Sequence, residues 1–305
     1  MNHRAQLPQL SGRTFITDGG LETDLIFHAG LELPDFASFV LLENERGVQA
    51  LRDYYLPYIE IAREQRVGIV LDTPTWRANP DWGARLGYRP ETLAELNRRG
   101  VALLEELRAS AGGEPTLVIS GCLGPRGDGY RADQRMSDAE AADYHAAQIV
   151  TFADTAADMV SALILTYPDE AVGIVRAAEA AAIPAVISFT VETDGRLPGG
   201  QPLGEAIEQV DAETAGAAAY FMVNCAHPTH FAHVLEDTHP WVDRIRGLRA
   251  NASTKSHAEL DEGDPLELAR HYRDLAPRLR NLTVVGGCCS TDHRHIAAIC
   301  AAWKG

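Results

Sequence analysis

The chain has 305 residues, a formal net charge of −16 and a hydrophobic content of 46%. This length and composition are ordinary for a globular protein with a sizeable core, and the acidic balance disfavours nucleic acids and anionic membranes as partners. No apolar run approaches the roughly 20 residues of a membrane span and residues 1–11 lack an apolar signal core, so we expect a cytoplasmic protein.

Eight apolar, β-rich runs recur along the chain and predict strands. They cover residues 15–18, 67–72, 116–120, 160–166, 185–190, 219–224, 244–250 and 282–285. The seventh run is the weakest, because the charges of Arg246 and Arg249 interrupt it.

Helical patterns separate these runs. They cover residues 48–64, 92–110, 169–182, 202–214, 266–279 and 291–302, with a shorter candidate at 229–235. Ser137 and Glu140 have the spacing of a capping box, which opens an alanine-rich helix that continues to about residue 157. Strands that alternate with helices imply a parallel sheet, and eight such units predict a single (β/α)8 TIM-type barrel over residues 1–305. A doubly wound open sheet is the alternative, but no G-x-G-x-x-G follows the first run.

Loops that follow strands form the face of a barrel where active sites lie. Loops rich in glycine, proline and charge follow the third, fifth and seventh runs, at residues 124–134, 192–201 and 253–265. The acidic side chains of the last loop, Glu259, Asp261, Glu262 and Asp264, are expected to be solvated.

Three of the five cysteines lie at predicted strand ends. Cys288 and Cys289 follow Gly286 and Gly287, and Cys225 closes the sixth run. Adjacent residues of a regular strand point to opposite faces, so both neighbouring thiols reach one site only if the strand stops and the chain turns, which the glycines permit. Thiolates select Zn²⁺, Cu(I) or iron–sulfur clusters, and three of them on Zn²⁺ leave one position open for a substrate thiol.

Other roles for these cysteines stay open. A vicinal disulfide or a redox switch is the alternative for the three strand-end cysteines, although metal binding and catalysis are the commoner uses of intracellular cysteine. Cys122 and Cys300 are interpreted as small buried hydrophobic residues. A substrate thiol on the metal would be held as a thiolate at neutral pH, able to attack a methyl group on a cationic donor.

These motifs resemble the homocysteine S-methyltransferase family, whose members are zinc-dependent barrels. The resemblance covers nearly the whole chain. It rests on D-G-G at residues 18–20, G-P-R-G at 124–127, S-F-T at 188–190 with the segment 195–203, N-C at 224–225 and G-G-C-C at 286–289. It implies that Cys225, Cys288 and Cys289 bind Zn²⁺ and serve in catalysis.

The resemblance also implies a set of substrate-binding residues. Asp18, Gly19 and Gly20 would line the acceptor pocket, with backbone amides available to a carboxylate. The set is completed by Glu22, Thr75, Trp76, Thr166 and Asn224. Thr166 is interpreted as standing where the family usually has a glutamate that helps hold the amino group of the acceptor. Structural roles are the alternatives: a cap or turn for Asp18, turn hydrogen bonds for Thr75 and an internal role for Asn224.

The implied function is transfer of a methyl group from a small sulfonium or quaternary ammonium donor to a zinc-bound thiol. Homocysteine is the first candidate for that thiol, which would give methionine. Trp76, Trp82 and Tyr130 are candidates to hold the cationic donor by cation–π contact. The alternatives are a demethylase of a methylated onium compound that uses another thiol, and a non-catalytic zinc or redox protein. Neither the donor nor the oligomeric state follows from the sequence.

Overall fold

A computed structural model describes residues 3–236, 239–255, 261 and 263–304. Eight parallel strands pair in chain order, and the last pairs with the first to close a barrel. The strands are β1 (Phe15–Ile16), β2 (Gly68–Asp72), β3 (Leu117–Leu123), β4 (Met159–Leu165), β5 (Ala185–Phe189), β6 (Tyr220–Asn224), β7 (Ile245–Ala250) and β8 (Val284–Gly287). The predicted (β/α)8 barrel is confirmed, and the open doubly wound sheet is excluded.

Helices surround this barrel in the described part of the chain. They are α1 (Leu21–Phe27), α2 (Glu45–Gln65), α3 (Pro80–Arg85), α4 (Pro90–Ser110), α5 (Asp138–Ala153), α6 (Pro168–Ala180), α7 (Leu203–Glu213), α8 (Pro228–Phe231), α9 (Pro265–Leu275) and α10 (His293–Lys304). The predicted capping box is present, since Ser137 and Glu140 each accept a hydrogen bond from the other's backbone amide. Helices α1 and α3 were not predicted, because seven and six residues are too few to show a helical period.

The amino-terminal segment packs against the end of the barrel opposite the strand carboxyl ends. Gln9 is fully buried, and its side chain donates to the Met159 sulfur at 3.2 Å and to the Tyr220 hydroxyl at 3.4 Å. The Arg4 guanidinium donates to backbone carbonyls between residues 153 and 157. These contacts cover the floor of the barrel.

The two glycines before the paired cysteines belong to β8, which corrects the prediction that the chain turns at them. A Cβ atom on Gly286 would overlap the Thr17 side chain, and one on Gly287 would overlap Thr291 Oγ1. The absence of side chains at these two glycines therefore lets Thr17 and Thr291 pack directly against the backbone of β8. The chain reverses after the cysteines instead, where Ser290 has a φ of 61°.

The acidic loop after β7 is only partly described. Glu259 and Glu262 lie outside the described residues. Asp264 accepts a hydrogen bond from the Leu266 amide at 2.8 Å and caps α9, so it has a structural role beyond solvation. Within the described ranges, no helix has the length and apolarity needed to cross a bilayer.

Candidate functional site

A cavity of about 360 Å³ opens at the carboxyl ends of the strands. That volume suits a small molecule. Nine of the residues predicted from the sequence line it: Asp18, Gly19, Gly20, Glu22, Trp76, Tyr130, Asn224, Cys288 and Cys289. Cys225 touches this wall through its sulfur, whereas Thr75 and Thr166 lie behind the lining.

The sulfur atoms of Cys225, Cys288 and Cys289 lie within 4.8 Å of one another. Cys225 and Cys288 are joined as a disulfide, with Cα atoms 5.4 Å apart, and Cys289 Sγ lies 3.6 Å from Cys225 Sγ. Both bonded cysteines form backbone hydrogen bonds with β7. The Cys225 amide donates to the Arg249 carbonyl, and the Cys288 amide donates to the Ala250 carbonyl. The two ends of the cluster thus meet because β6 and β8 are both neighbours of β7.

This donor set fits a soft metal ion. Three sulfurs suit Zn²⁺, which favours thiolate ligands, and they lie close enough together to bind one ion. Metal ligands are thiolates, so metal binding and the Cys225–Cys288 disulfide are alternative states of the same residues. Burial raises the pKa of the Cys289 thiol, which keeps it protonated at neutral pH unless a cation is bound nearby.

Asn224 connects this cluster to β4. Its Oδ1 accepts hydrogen bonds from the Ile164 amide at 3.0 Å and from Ser188 Oγ at 2.6 Å, and its Nδ2 lies 3.8 Å from Cys288 Sγ. Ile164 has a φ of 63°, which is rare for a β-branched residue, and it lies where the pairing of β4 with β5 is irregular. Asn224 therefore holds a strained turn of the backbone beside the sulfurs.

The irregularity in β4 decides which side chain faces the cavity. Ile164 and Leu163 line it, whereas Thr166 is buried elsewhere and its carbonyl accepts a hydrogen bond from the Gly199 amide at 3.0 Å. The sequence carried no signal for this shift, because strand counting assumes regular pairing. The end of β4 presents an apolar surface to the cavity.

A buried guanidinium lies at the base of the cavity. Arg249, on β7, donates to Asp18 Oδ1 at 2.6 Å, to Asp72 Oδ2 and to the Gly287 carbonyl at 3.0 Å. Tyr54 donates its hydroxyl to the other Asp18 oxygen at 3.1 Å. Burial raises the pKa of Asp18 to about 6, with the nearby Asp72 adding to the effect and Arg249 opposing it.

Sequence reasoning missed the role of Arg249. In the sequence its charge only interrupts the seventh run, although a charge near the end of a barrel strand lies close to the active-site face. Asp18 is consequently part of an ion-pair triad with Asp72 and Arg249. That pairing replaces the predicted alternative of a helix cap.

Three other predicted residues have mainly internal partners. Glu22, on α1, accepts a hydrogen bond from Ser38 Oγ at 2.7 Å, and burial raises the pKa of Glu22. The Gly20 amide donates to the Thr291 carbonyl at 2.9 Å, so it is not available to a carboxylate as predicted. Thr75 Oγ1 donates to the Cys122 carbonyl at 2.9 Å, a long-range bond to β3 that differs from the turn hydrogen bonds of its structural alternative.

The aromatic residues divide between two roles. Tyr130 and Trp76 line the cavity, and the Tyr130 hydroxyl lies 3.5 Å from Cys289 Sγ and 3.6 Å from Cys225 Sγ. Trp82 does not line the cavity; its ring stacks on the Arg77 guanidinium at 3.7 Å, and Arg77 stacks on Trp76 at 4.1 Å. The proposed cage for a cationic donor is thus reduced to Trp76 and Tyr130, while Arg77 is a cavity residue that the sequence did not indicate.

Comparisons with known proteins bear on the family and the fold. Residues 15–303 match the sequence profile of the family described as homocysteine S-methyltransferase. No protein sequence with a curated description matches the chain. Two crystal structures of the homocysteine methyltransferase MmuM from Escherichia coli resemble it. The oxidised form is 23% identical in sequence, with a TM-score of 0.76, and the match covers 99% of each chain. The metallated form is 22% identical, with a TM-score of 0.72, and the match covers 95% of this chain and 96% of the MmuM chain. At these identities, the structural likeness establishes the fold.

Proposed function

Since the chain belongs to the homocysteine S-methyltransferase family, and so is a methyltransferase that acts on small molecules, we propose that it moves a methyl group from a small onium donor to a thiol held by Zn²⁺. The donor would be a sulfonium or quaternary ammonium compound. The observation that carries the proposal is the cluster of Cys225, Cys288 and Cys289, whose sulfurs lie within 4.8 Å in the wall of the cavity. We further propose that one barrel domain over residues 1–305 performs the reaction.

The three cysteines would hold the metal as thiolates. When bound, Zn²⁺ lowers the pKa of a substrate thiol and keeps it ionised at neutral pH. Tyr130 can donate its hydroxyl toward the sulfurs from 3.5 Å, and Trp76 offers an aromatic surface to a cationic donor. Leu163 and Ile164 add apolar side chains to the cavity wall.

The reaction is a displacement at the methyl carbon. The thiol sulfur supplies the electron pair of the new S–C bond, and the bond between the methyl group and the onium centre breaks. The donor leaves without its positive charge, and the thiol proton goes to solvent. Positioning of the two small molecules in one cavity supplies much of the rate enhancement in such a reaction.

Homocysteine is the first proposed acceptor, with methionine as the product. The second candidate is a thiol without an α-amino group, and two observations favour it. The end of β4 presents Ile164 to the cavity, and Asp18 is already paired with Arg249. Ile164 offers no charge to an ammonium group at the end of β4, and the charge of Asp18 is already compensated.

The experiment is a methyl-transfer assay with reduced, zinc-loaded protein. Donors would be S-methylmethionine, dimethylsulfoniopropionate and glycine betaine, and acceptors would be homocysteine and 3-mercaptopropionate, with methylated thiols detected by mass spectrometry. We expect transfer from at least one donor, and none by Cys289→Ala. Absence of any methylated thiol from fully zinc-loaded protein would refute the proposal.

A further inference from the structure

We propose that Arg77 is the anchoring residue for an acid group, a carboxylate, of a substrate in the cavity. The proposal rests on the proposed function and names one chemical feature of its substrates. It concerns a residue outside the cysteine cluster and outside the Asp18–Asp72–Arg249 triad.

Arg77 is held rigidly in the cavity wall. It follows β2, is 8% exposed and lies between two indole rings, 3.7 Å from the Trp82 centroid and 4.1 Å from the Trp76 centroid. Its Nη1 donates to the Gly127 carbonyl at 3.2 Å. The rings fix the plane of the guanidinium, so its orientation exists before any ligand arrives.

Within the described part of the chain, the guanidinium has no carboxylate in direct contact, and the charges of Asp128 and Glu22 favour its charged form only from a greater distance. Among the described residues Arg77 forms no ion pair, and its buried Nε has no hydrogen-bond partner. The cavity carboxylates Glu22 and Asp128 accept hydrogen bonds from Ser38 Oγ and the Tyr130 amide instead. Arg249, in the same cavity, shows the contrast, because two carboxylates compensate its charge.

A buried cation without a directly paired carboxylate is unfavourable, and stacking on two indoles offsets only part of the cost. Burial lowers the pKa of Arg77 to about 10, with the charges of Asp128 and Glu22 opposing the effect, and Arg77 is still charged at neutral pH. A carboxylate of a bound substrate would supply the direct ion pair that these residues do not form. The planar fork of the guanidinium matches the two oxygens of a carboxylate.

The position of Arg77 in the barrel restricts how the substrate lies. β2 and β6 are four strands apart in the ring of eight, so the segment after β2 lies across the mouth from the end of β6, where Cys225 is. A substrate with its reacting atom near the sulfurs and its acid group at Arg77 would span the mouth. The acid group can belong to the methyl donor or to the thiol, and the experiment below distinguishes these two possibilities.

The test compares matched ligand pairs by titration calorimetry, without turnover. Glycine betaine against tetramethylammonium reports on the donor, and 3-mercaptopropionate against 2-mercaptoethanol reports on the thiol. We expect the parent protein to bind the carboxylate-bearing member of at least one pair tenfold or more tightly. Arg77→Gln should remove that preference. Arg77→Lys should keep part of it, because a lysine keeps the positive charge but lacks the planar pair of N–H donors that binds both oxygens of a carboxylate.

Arg85→Gln is the matched control, because Arg85 also stacks on Trp82, at 5.1 Å, but pairs with Asp35 and does not line the cavity. It should keep the parent preference. An unchanged preference in Arg77→Gln, or no preference in the parent for either pair, would overturn the proposal. If Arg77→Gln does not fold, the comparison of Arg77→Lys with the parent decides. A carboxylate preference in a protein that transfers no methyl group would refute the proposed function but leave this one standing.

Discussion

At the scale of single residues, Cys289 offers the sharpest test of the metal proposal. It is a free thiol next to the Cys225–Cys288 pair. We predict about one zinc ion per chain in the reduced protein and loss of most of it in Cys289→Ala, because one of three thiolates is removed. The fold should remain, since the barrel has its own core. Metal analysis after dialysis measures the zinc content.

Cys300→Ala is the control for that measurement. Cys300 is fully buried on α10 and does not belong to the sulfur cluster, so its replacement should leave the zinc content unchanged. Full zinc in the Cys289 variant would count against the assignment of that residue as a ligand.

Asp18 predicts a dependence of stability on pH. Its pKa is raised from 3.8 to about 6, so the folded protein keeps a proton that the unfolded chain has already released. The free energy of unfolding should therefore fall as pH rises from about 4 to about 6, by about 3 kcal/mol for this group. Asp18→Asn should flatten this part of the profile, measured by urea unfolding between pH 4 and 7.

The control is Asp53→Asn, which removes an exposed carboxylate on α2. Its profile should run parallel to that of the parent. A slope in Asp18→Asn equal to that of the parent would show that Asp18 does not hold the proton.

The residue scale is also where the sequence was least informative. The meeting of three cysteines could be inferred, because each follows an apolar run and the carboxyl ends of barrel strands share one face. The orientation of Ile164 toward the cavity could not be inferred, because it depends on an irregular pairing of β4 with β5. The stacking of Arg77 between two indoles depends on the loop after β2, which has no periodic pattern.

At the scale of elements, the β8 glycines predict a packing defect. A Cβ atom on Gly287 would overlap Thr291 Oγ1 and approach Ile296 Cδ1 to 3.1 Å. Gly287→Ala should lower the free energy of unfolding by about 1–3 kcal/mol, the usual cost of overpacking. Chemical denaturation followed by circular dichroism measures it.

The double variant Gly287→Ala/Thr291→Ala tests the cause. Removal of the Thr291 hydroxyl takes away the nearest clashing atom, so part of the lost stability should return relative to Thr291→Ala alone. If the two substitutions are simply additive, the overlap with Thr291 is not the reason why residue 287 is a glycine.

The strands were predictable because parallel barrel strands are buried on both faces and read as continuous apolar runs. The burial of β2, β4 and β6 at every position agrees with this. Even β7, which contains two arginines, was predicted from its apolar residues. Helices α1 and α3 were not predicted because they are too short to show a helical period, and α3 begins at the Asn79 cap.

At the scale of the whole molecule, the pairing of β6 and β8 with β7 predicts how the sulfur cluster responds to oxidation. Cys225 and Cys288 are 63 residues apart in sequence but within disulfide distance in the fold. Metal-free protein should lose free thiols under mild oxidant faster than zinc-loaded protein, because metal-bound thiolates are not available for disulfide formation. Thiol titration over time gives both rates.

Cys225→Ala supplies the comparison, because it removes the β6 member of the pair. Its metal-free form should lose thiols more slowly than the metal-free parent. Equal rates of thiol loss with and without zinc in the parent would contradict the protective role of the metal.

The buried triad of Asp18, Asp72 and Arg249 constrains how relatives of this chain can diverge. The three side chains come from different strand ends, and removal of one partner of such a buried ion pair typically costs about 3–5 kcal/mol. A lineage that changed position 249 alone would pass through a poorly stable ancestor. Descendants with a neutral residue at position 249 should therefore also have lost the acid at position 72, so that the two positions change together across evolutionary time.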